Sequence, residues 1–423
     1  MTRFTYNILL ALALPFIVVR LLWRSIRQPA YLRHLGERFG SYGVKPPAAP
    51  IWIHAVSVGE TRAAQPLVKA FRSRYPMHPI LFTYMTPTGR ATGEQLFGDD
   101  VLHAYLPYDY GVTAARFLEH FRPRIGLIME TELWPNLIAR CAAKGIPACL
   151  INGRLSERSA RRYQHAAALA AETLQSFALI TAQGEADAAR LKALGARDVQ
   201  VCGNLKFDVA IDHTLIDRGS DWRAALAPRR KVLLAASTRE GEERLFLDAW
   251  KSLTEQERGS ILLAIVPRHP QRFDEVAALA ADSDLRTGRR SASSGWLDDL
   301  QVWIGDSMGE MTAYYALCDV AVIGGSLLPF GAQNLIEACA LGKPVVLGPS
   351  TFNFAEASQQ ALSSGAALQG DDAAKVLSLA CSWLGNDAAR NTASEAALRF
   401  ASAHRGATER TLALIEQRVT MTA

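Results

Sequence analysis

Beyond residue 50 the chain alternates short apolar runs with amphipathic stretches. "IWIHAV" (51–56), "ILFTYM" (80–85), "RIGLIME" (124–130), "PACLIN" (147–152) and "FALITA" (177–182) are apolar at nearly every position, with helical patterns between them. A strand apolar on both faces is covered on both, which is the habit of parallel sheets flanked by helices. A charged stretch, "FDVAIDHTLIDRGSDWRAALAPRR" (207–230), breaks the rhythm. A second series follows: "KVLLAAS" (231–237), "ILLAIVP" (261–267), "VWIG" (302–305), "VAVIGGS" (320–326) and "PVVLGP" (344–349), with a helical remainder from about residue 355. The pattern predicts two tandem Rossmann-like α/β domains, 36–210 and 231–423, joined by a linker over 211–230. In open parallel sheets ligands sit beyond the carboxyl ends of strands, so two facing sheets are expected to define one interdomain cleft.

The first 35 residues follow a different pattern. "ILLALALPFIVVRLLWR" is apolar from Ile8 to Val19, and Arg20, Arg24, Arg27 and Arg33 follow. Counted from Phe4 to Trp23, the run approaches the roughly 20 residues that span a bilayer. A secretory signal carries its positive charge before the apolar stretch and a small-residue cleavage site after it; this segment has neither. Residues 1–35 therefore read as an uncleaved N-terminal membrane anchor, with the arginines and the body of the protein on the cytoplasmic side. A buried core helix is the other reading of the same pattern.

Composition narrows the chemistry. A chain of 423 residues exceeds one ordinary core, and a formal charge of +5 implies no nucleic-acid partner. The six cysteines are scattered without a C-x-x-C pair, which fits reduced thiols and neither a zinc site nor a disulfide framework. No G-x-G-x-x-G fingerprint, Walker A sequence or His-rich metal spacing occurs, so dinucleotide redox chemistry and ATP hydrolysis lose support.

Polar residues recur just after the predicted strands. Glu60 ends "IWIHAVSVGE" and falls in the first turn of a helix, where unpaired N–H groups favour a negative charge. It reads as a capping glutamate or as a general base kept ionised there. In "METELWPNL", Glu130 and Glu132 flank Thr131 and share a face if the strand persists, making ionisation of both unfavourable. "NGRLSERS" with Arg161 and Arg162 gives a basic group of Arg154, Arg158, Arg161 and Arg162, either a solvated helix face or a holder of acceptor phosphates. "GNLKFD" adds Lys206. In the second half, "AASTREGEE" starts a helix whose N–H groups could take an anion. "VPRHP" fixes Arg268 and His269 between prolines. "GDSMGEM" and "GGSLLPFGAQNLIEACALGKPVVLGP" supply glycines for close approach, and Asn334 is placed to cap a helix carrying Glu337.

Two doubly wound domains in tandem resemble the GT-B glycosyltransferase architecture. "IHAVSVGE", "METELWPNL", "NGRLSERS", "GNLKFD", "VPRHP", "GDSMGEM" and "QNLIEA…GKPVVLGPSTFNF" resemble, in that order, the signature stretches of bacterial 3-deoxy-D-manno-octulosonic acid (Kdo) transferases. They cover residues 51 to about 356, and the N-terminal anchor fits too. The resemblance implies an inverting, metal-independent transfer of Kdo from CMP-Kdo to the lipid A precursor lipid IV-A, with no cofactor. It further implies attachment to the anionic cytoplasmic surface of the inner membrane, in lipopolysaccharide synthesis. It assigns Glu60 as proton acceptor, and Glu130 and Lys206 as transition-state stabilisers. It assigns CMP binding to Arg268, His269, Gly309, Glu310, Met311, Asn334, Leu335, Ile336 and Glu337. One departure stands out: many relatives read G-G-H-N-P-L-E where this chain has Gly331-Ala332-Gln333-Asn334-Leu335-Ile336-Glu337. The rival readings are another GT-B enzyme using a UDP-sugar, and a nucleotide-sensing scaffold with a decayed active site.

Overall fold

The computed structural model describes residues 1–43, 45–208, 212–292 and 299–419. The chain forms two compact units, Met1–Val209 with Arg405–Ala423, and Ala210–His404. The first contains β1 (Ile51–His54), β2 (Ile80–Tyr84), β3 (Leu102–Tyr105), β4 (Ile125–Met129), β5 (Ala148–Gly153), β6 (Leu179–Ala182) and β7 (Val199–Val201). Their order is β3-β2-β1-β4-β5-β6-β7, parallel throughout. Ile53 stands in register with Phe82 on one side and Leu127 on the other. Alternate side chains point to opposite faces. Ile51 and Ile53 therefore join one core with Leu67 and Phe71, while Trp52 joins the other with Phe117 and Leu137.

The second unit repeats the plan with β8 (Lys231–Thr238), β9 (Ile261–Pro267), β10 (Thr287–Arg289), β11 (Val302–Ile304), β12 (Val320–Ile323), β13 (Val345–Leu347) and β14 (Ala367–Gln369). The order is β10-β11-β9-β8-β12-β13-β14, again parallel throughout. Both units are doubly wound α/β sheets, as the apolar runs predict.

Two expectations need correction, and one rival reading falls away. The stretch read as a linker holds a helix, His213–Leu226, whose Trp222 packs 5.3 Å from Trp303 and 5.0 Å from Tyr314 in the second unit. The terminal helix Ala407–Arg418, read with the second domain, belongs to the first, where Leu412 and Ile415 enter the Ile51–Ile53 core. The Asp208 carboxylate fixes its start by accepting from Gly406 N–H at 2.6 Å and Thr408 N–H at 2.5 Å. An apolar stripe announces that a helix needs a partner without saying which sheet supplies it. Finally, the N-terminal segment is one helix, Arg3–Arg27, in which Leu21 alone among the described residues is buried; it is no core helix.

Candidate active site

Strand order reverses between β1 and β4 in the first sheet and between β8 and β12 in the second. Ligands of doubly wound sheets bind beyond the carboxyl ends of strands at such points. Glu60, Glu130 and Lys206 come together near the first of these places, and Arg268, Asn334 and Glu337 near the second.

In the first unit, β1 runs into the short helix Val58–Ala63, capped by Ser57, whose Oγ accepts from Glu60 N–H at 3.3 Å. The Glu60 carboxylate folds back on the cap. Its Oε2 accepts from Val56 N–H at 2.8 Å and its Oε1 from the Ser57 hydroxyl at 2.8 Å. The capping reading is therefore correct as geometry. Only 8% of the residue is exposed, and this burial pushes its pKa above the ordinary 4.5. The Glu130 charge pushes the same way; Val56 N–H, Ser57 and the Lys206 charge oppose. The expectation that a helix start would settle the ionised form is thus reversed in direction, because desolvation outweighs two hydrogen bonds. A carboxyl raised toward neutrality is a stronger base once ionised.

Glu130 is the first residue past β4. It sits in left-handed backbone, φ 56°, held by its N–H donating to Ile151 O at 2.9 Å. Lys206 Nζ donates to Glu130 Oε1 at 3.1 Å, so the two form a half-buried ion pair. Asn152, next after Ile151, is also left-handed, φ 54°, a conformation Asn tolerates better than most residues. Its Oδ1 accepts from Leu205 N–H at 3.0 Å. A second line of bonds runs from Gln183 Nε2 to Asn152 O (3.1 Å), from Asn204 Nδ2 to Gln183 Oε1 (3.0 Å), and from Lys206 N–H to Asn204 Oδ1 (3.0 Å). Both members of the Glu130–Lys206 pair are thereby registered against residues 151 and 152. The Asn-Gly dipeptide at 152–153 was the only sequence signal for this, as a turn former.

Glu130 and Glu132 do not share a strand face, because β4 ends at Met129 and both lie in the turn that follows. The foreseen repulsion survives in another form. Glu132 is pushed up to about 7, chiefly by burial and then by the charges of Glu60 and Glu130. It is the residue that sequence reasoning left out of the site. Behind these carboxylates His54 is fully buried; its Nδ1 lies 2.9 Å from Thr83 Oγ1, and burial pushes it down to about 3, so it is neutral. Arg154, Arg158, Arg161 and Arg162 of the basic group are all exposed, on or just before the helix Glu157–Gln164.

In the second unit, the helix start after β8 is occupied by the chain's own carboxylates. Glu242, fully buried, accepts from Gly325 N–H at 2.6 Å, Arg239 N–H at 2.8 Å and Leu327 N–H at 2.9 Å. Glu243 takes the Thr238 hydroxyl at 2.6 Å and both Arg272 terminal nitrogens at 2.7 and 3.1 Å. The anion expected there is internal. β8 and β12 cross closely at this point: a Cβ on Gly324 would meet Ser237 O at 2.4 Å.

Arg268 follows β9, donates N–H to Thr238 O at 3.0 Å, and places Nε 3.3 Å from Gln333 Oε1. Gln333, standing where many relatives carry histidine, thus takes a guanidinium bond. Asn334 donates to Glu337 Oε1 at 3.0 Å and accepts from Ile336 N–H at 3.0 Å; it stands one residue before the N-cap, which is Leu335, so the expected Asn334 cap is replaced by a side-chain turn onto the first helical residue. Burial pushes Glu337 up, against the Asn334 bond and the Arg268 charge, so these three residues act on one another. Leu335 and Ile336 are buried and offer backbone rather than side chains. His269 is pushed down by desolvation and by the charges of Arg239, Arg268 and Arg272, which leaves it neutral near pH 7. Glu310 is engaged separately: Arg218 at 2.5 Å, Arg290 at 3.2 Å and Ser307 Oγ at 2.5 Å bind its carboxylate. Burial pushes Glu310 up, but those partners outweigh it and hold the group below the usual range. Beside it Gly309 is left-handed, φ 79°, and Met311 opens the helix Met311–Leu317.

The comparisons agree with one another. A family model described as 3-deoxy-D-manno-octulosonic-acid transferase (kdotransferase) matches residues 33–209. A 3-deoxy-D-manno-octulosonic acid transferase of Bordetella pertussis is 44% identical over 93% of this chain and 94% of its own length. One of Haemophilus influenzae is 36% identical over 98% of both. The solved UDP-GlcNAc 2-epimerase of Neisseria meningitidis, 12% identical, superposes over 87% of this chain and 100% of its own with a TM-score of 0.59, a likeness of fold. The fold is the GT-B-like arrangement of two Rossmann-like domains, and the chain belongs to the 3-deoxy-D-manno-octulosonic acid transferase family of glycosyltransferases.

Proposed function

We propose that the chain moves Kdo from CMP-Kdo to a hydroxyl of lipid IV-A, releasing CMP, with inversion and without a metal. The reaction belongs to lipopolysaccharide synthesis on the cytoplasmic face of the inner membrane. The observation that carries this reading is the 44% identity along nearly the whole of a relative bearing the transferase name. The grouping of Glu60, Glu130 and Lys206 at one switch point adds to it.

Glu60 takes the proton of the attacking hydroxyl, which is too weak a nucleophile unaided at neutral pH. The new bond joins that oxygen to the anomeric carbon as the bond to the CMP phosphate oxygen breaks. Departing CMP gains negative charge, which Arg268 and the backbone N–H groups of Gly309, Glu310 and Met311 stabilise. His269 and residues Asn334 to Glu337 hold the nucleotide. Lys206, oriented by Glu130, meets the developing charge next to a sugar that already bears a carboxylate. The exposed arginines 154, 158, 161 and 162 suit the phosphates of the acceptor.

The test is a transfer assay with purified protein, CMP-Kdo and lipid IV-A, beside isothermal titration with CMP and with UDP. CMP binding and Kdo-bearing product support the proposal. Binding of UDP in place of CMP gives the reading to a UDP-sugar enzyme, and binding without donor consumption gives it to a scaffold.

A further inference from the structure

At 1.5 Å per residue the 25-residue helix Arg3–Arg27 is about 37 Å long, enough to cross the roughly 30 Å hydrocarbon core of a bilayer. Its contacts point elsewhere. Arg3 pairs with Glu172 at 2.5 Å, Tyr6 OH donates to Asp109 at 3.1 Å, Asn136 donates to Asn7 at 2.6 Å, and Tyr110 OH donates to Leu10 O at 2.8 Å. These partners belong to the folded body of the first unit, and Asp109 and Asn136 are 4% and 5% exposed. Some ten residues past the other end of the helix, at Glu37 and Arg38, the chain is tied to the same body. Arg90 pairs with Glu37 at 2.9 Å and Arg38 donates to Met85 O at 3.1 Å. One unit therefore holds the start of the helix and, ten residues beyond its end, the chain that follows it.

The helix is also two-faced. Tyr6, Leu10, Ala13, Ile17, Leu21 and Ser25, three or four residues apart, form one shielded stripe along it. Phe4, Leu12, Phe16, Val19 and Ile26 are 74, 73, 66, 62 and 79% exposed. With 3.6 residues per turn the two sets centre roughly on opposite sides of the helix. A spanning helix has its ends in different aqueous phases. Spanning would strip Asp109 and Asn136 of Tyr6 and Asn7, and carry a polar Asn7 side chain into hydrocarbon.

We propose that Arg3–Arg27 lies in the plane of an anionic membrane surface, its Phe4–Leu12–Phe16–Val19–Ile26 face in the acyl boundary and neither end crossing. This rests on the membrane attachment proposed above and settles its form as an interfacial helix. A lipid surface fits better than a second copy of the chain. Arg20 and Arg24 are exposed on the helix and Arg33 just beyond it, and the apolar surface continues to Leu32 and Leu35. Two such faces pressed together bring like charges near each other. Anionic headgroups instead reward each arginine by on the order of 1 kcal/mol.

The experiment is labelling of the full chain in cell membranes by a membrane-impermeant maleimide. Cys381→Ser is the background, since the other five cysteines are buried. Thr2→Cys reports the start of the helix and Arg399→Cys reports the folded body; both positions are exposed. In-plane attachment predicts that both label in inverted inner-membrane vesicles and that both lose labelling in intact spheroplasts. Labelling of the two from opposite faces overturns the in-plane helix while keeping the attachment. A chain that leaves the membrane fraction altogether, as a monomer or a soluble dimer, overturns the attachment and this proposal with it.

Discussion

Replacing Glu132 by glutamine removes one charge from a crowded group of carboxyls while keeping side-chain shape. Glu132 is pushed from an ordinary 4.5 to about 7 by burial and by the charges of Glu60 and Glu130. A carboxyl whose pKa is higher folded than unfolded favours the folded state at low pH. That advantage is lost as pH rises from about 4.5 through about 7. Each pKa unit corresponds to about 1.4 kcal/mol, so wild-type stability should fall across this window by on the order of 3 kcal/mol through Glu132. Glu132→Gln cannot ionise and should not show that part of the decline. At pH 4.5 the variant should melt close to wild type. At pH 8 the first unit should gain roughly 6–12 °C, taking about 2–4 °C per kcal/mol for a domain of this size. Differential scanning calorimetry at both pH values reads the effect, because two units need not melt as one transition. A gain equal at both pH values, or a loss at pH 8, refutes the claim that Glu132 is forced to ionise against its neighbours.

The positioning of Lys206 is open to a similar comparison. Asn152→Ala removes the acceptor for the Leu205 N–H, leaving a buried donor unpaired at a cost of about 1–3 kcal/mol. It should lower kcat more than it raises KM, and Asn152→Asp, which retains the acceptor, should restore most of the rate; equal behaviour of the two variants removes Asn152 from the site. Glu337→Ala, which deletes a carboxylate linked to Asn334 and Arg268, should raise the donor KM by tenfold or more, taking about 1.5–3 kcal/mol for a hydrogen bond to a charged group. An unchanged donor KM counts against the nucleotide assignment. Transfer should survive EDTA, and loss restored by a divalent cation contradicts the metal-free reading.

Most of the fold was legible because ten of the strands are covered on both faces and therefore apolar throughout. The four strands with no signal, β3, β7, β10 and β14, are the edges of the two sheets. An edge strand is short and half-solvated, and its residues need not be apolar: β10 is Thr287-Gly288-Arg289, with every residue partly exposed. The placement of Glu60, Glu130 and Arg268 was legible because each sits just past a strand end. Asn152 and the burial of Glu132 escaped, because a left-handed turn and a buried carboxyl depend on neighbours distant in sequence. The expected anion site after β8 failed for a related reason. A helix start attracts negative charge, and here Glu242 of the same chain supplies it.

The central claim is that Glu60 takes the proton of the hydroxyl that attacks Kdo. Mass spectrometry of lipid IV-A after incubation with CMP-Kdo, for wild type and for Glu60→Gln, addresses it most directly when circular dichroism and CMP titration show the variant folded and able to bind. The account predicts Kdo-bearing product from wild type and a rate lower by about 10²–10⁴ from the variant. Product formed by Glu60→Gln at the wild-type rate contradicts it.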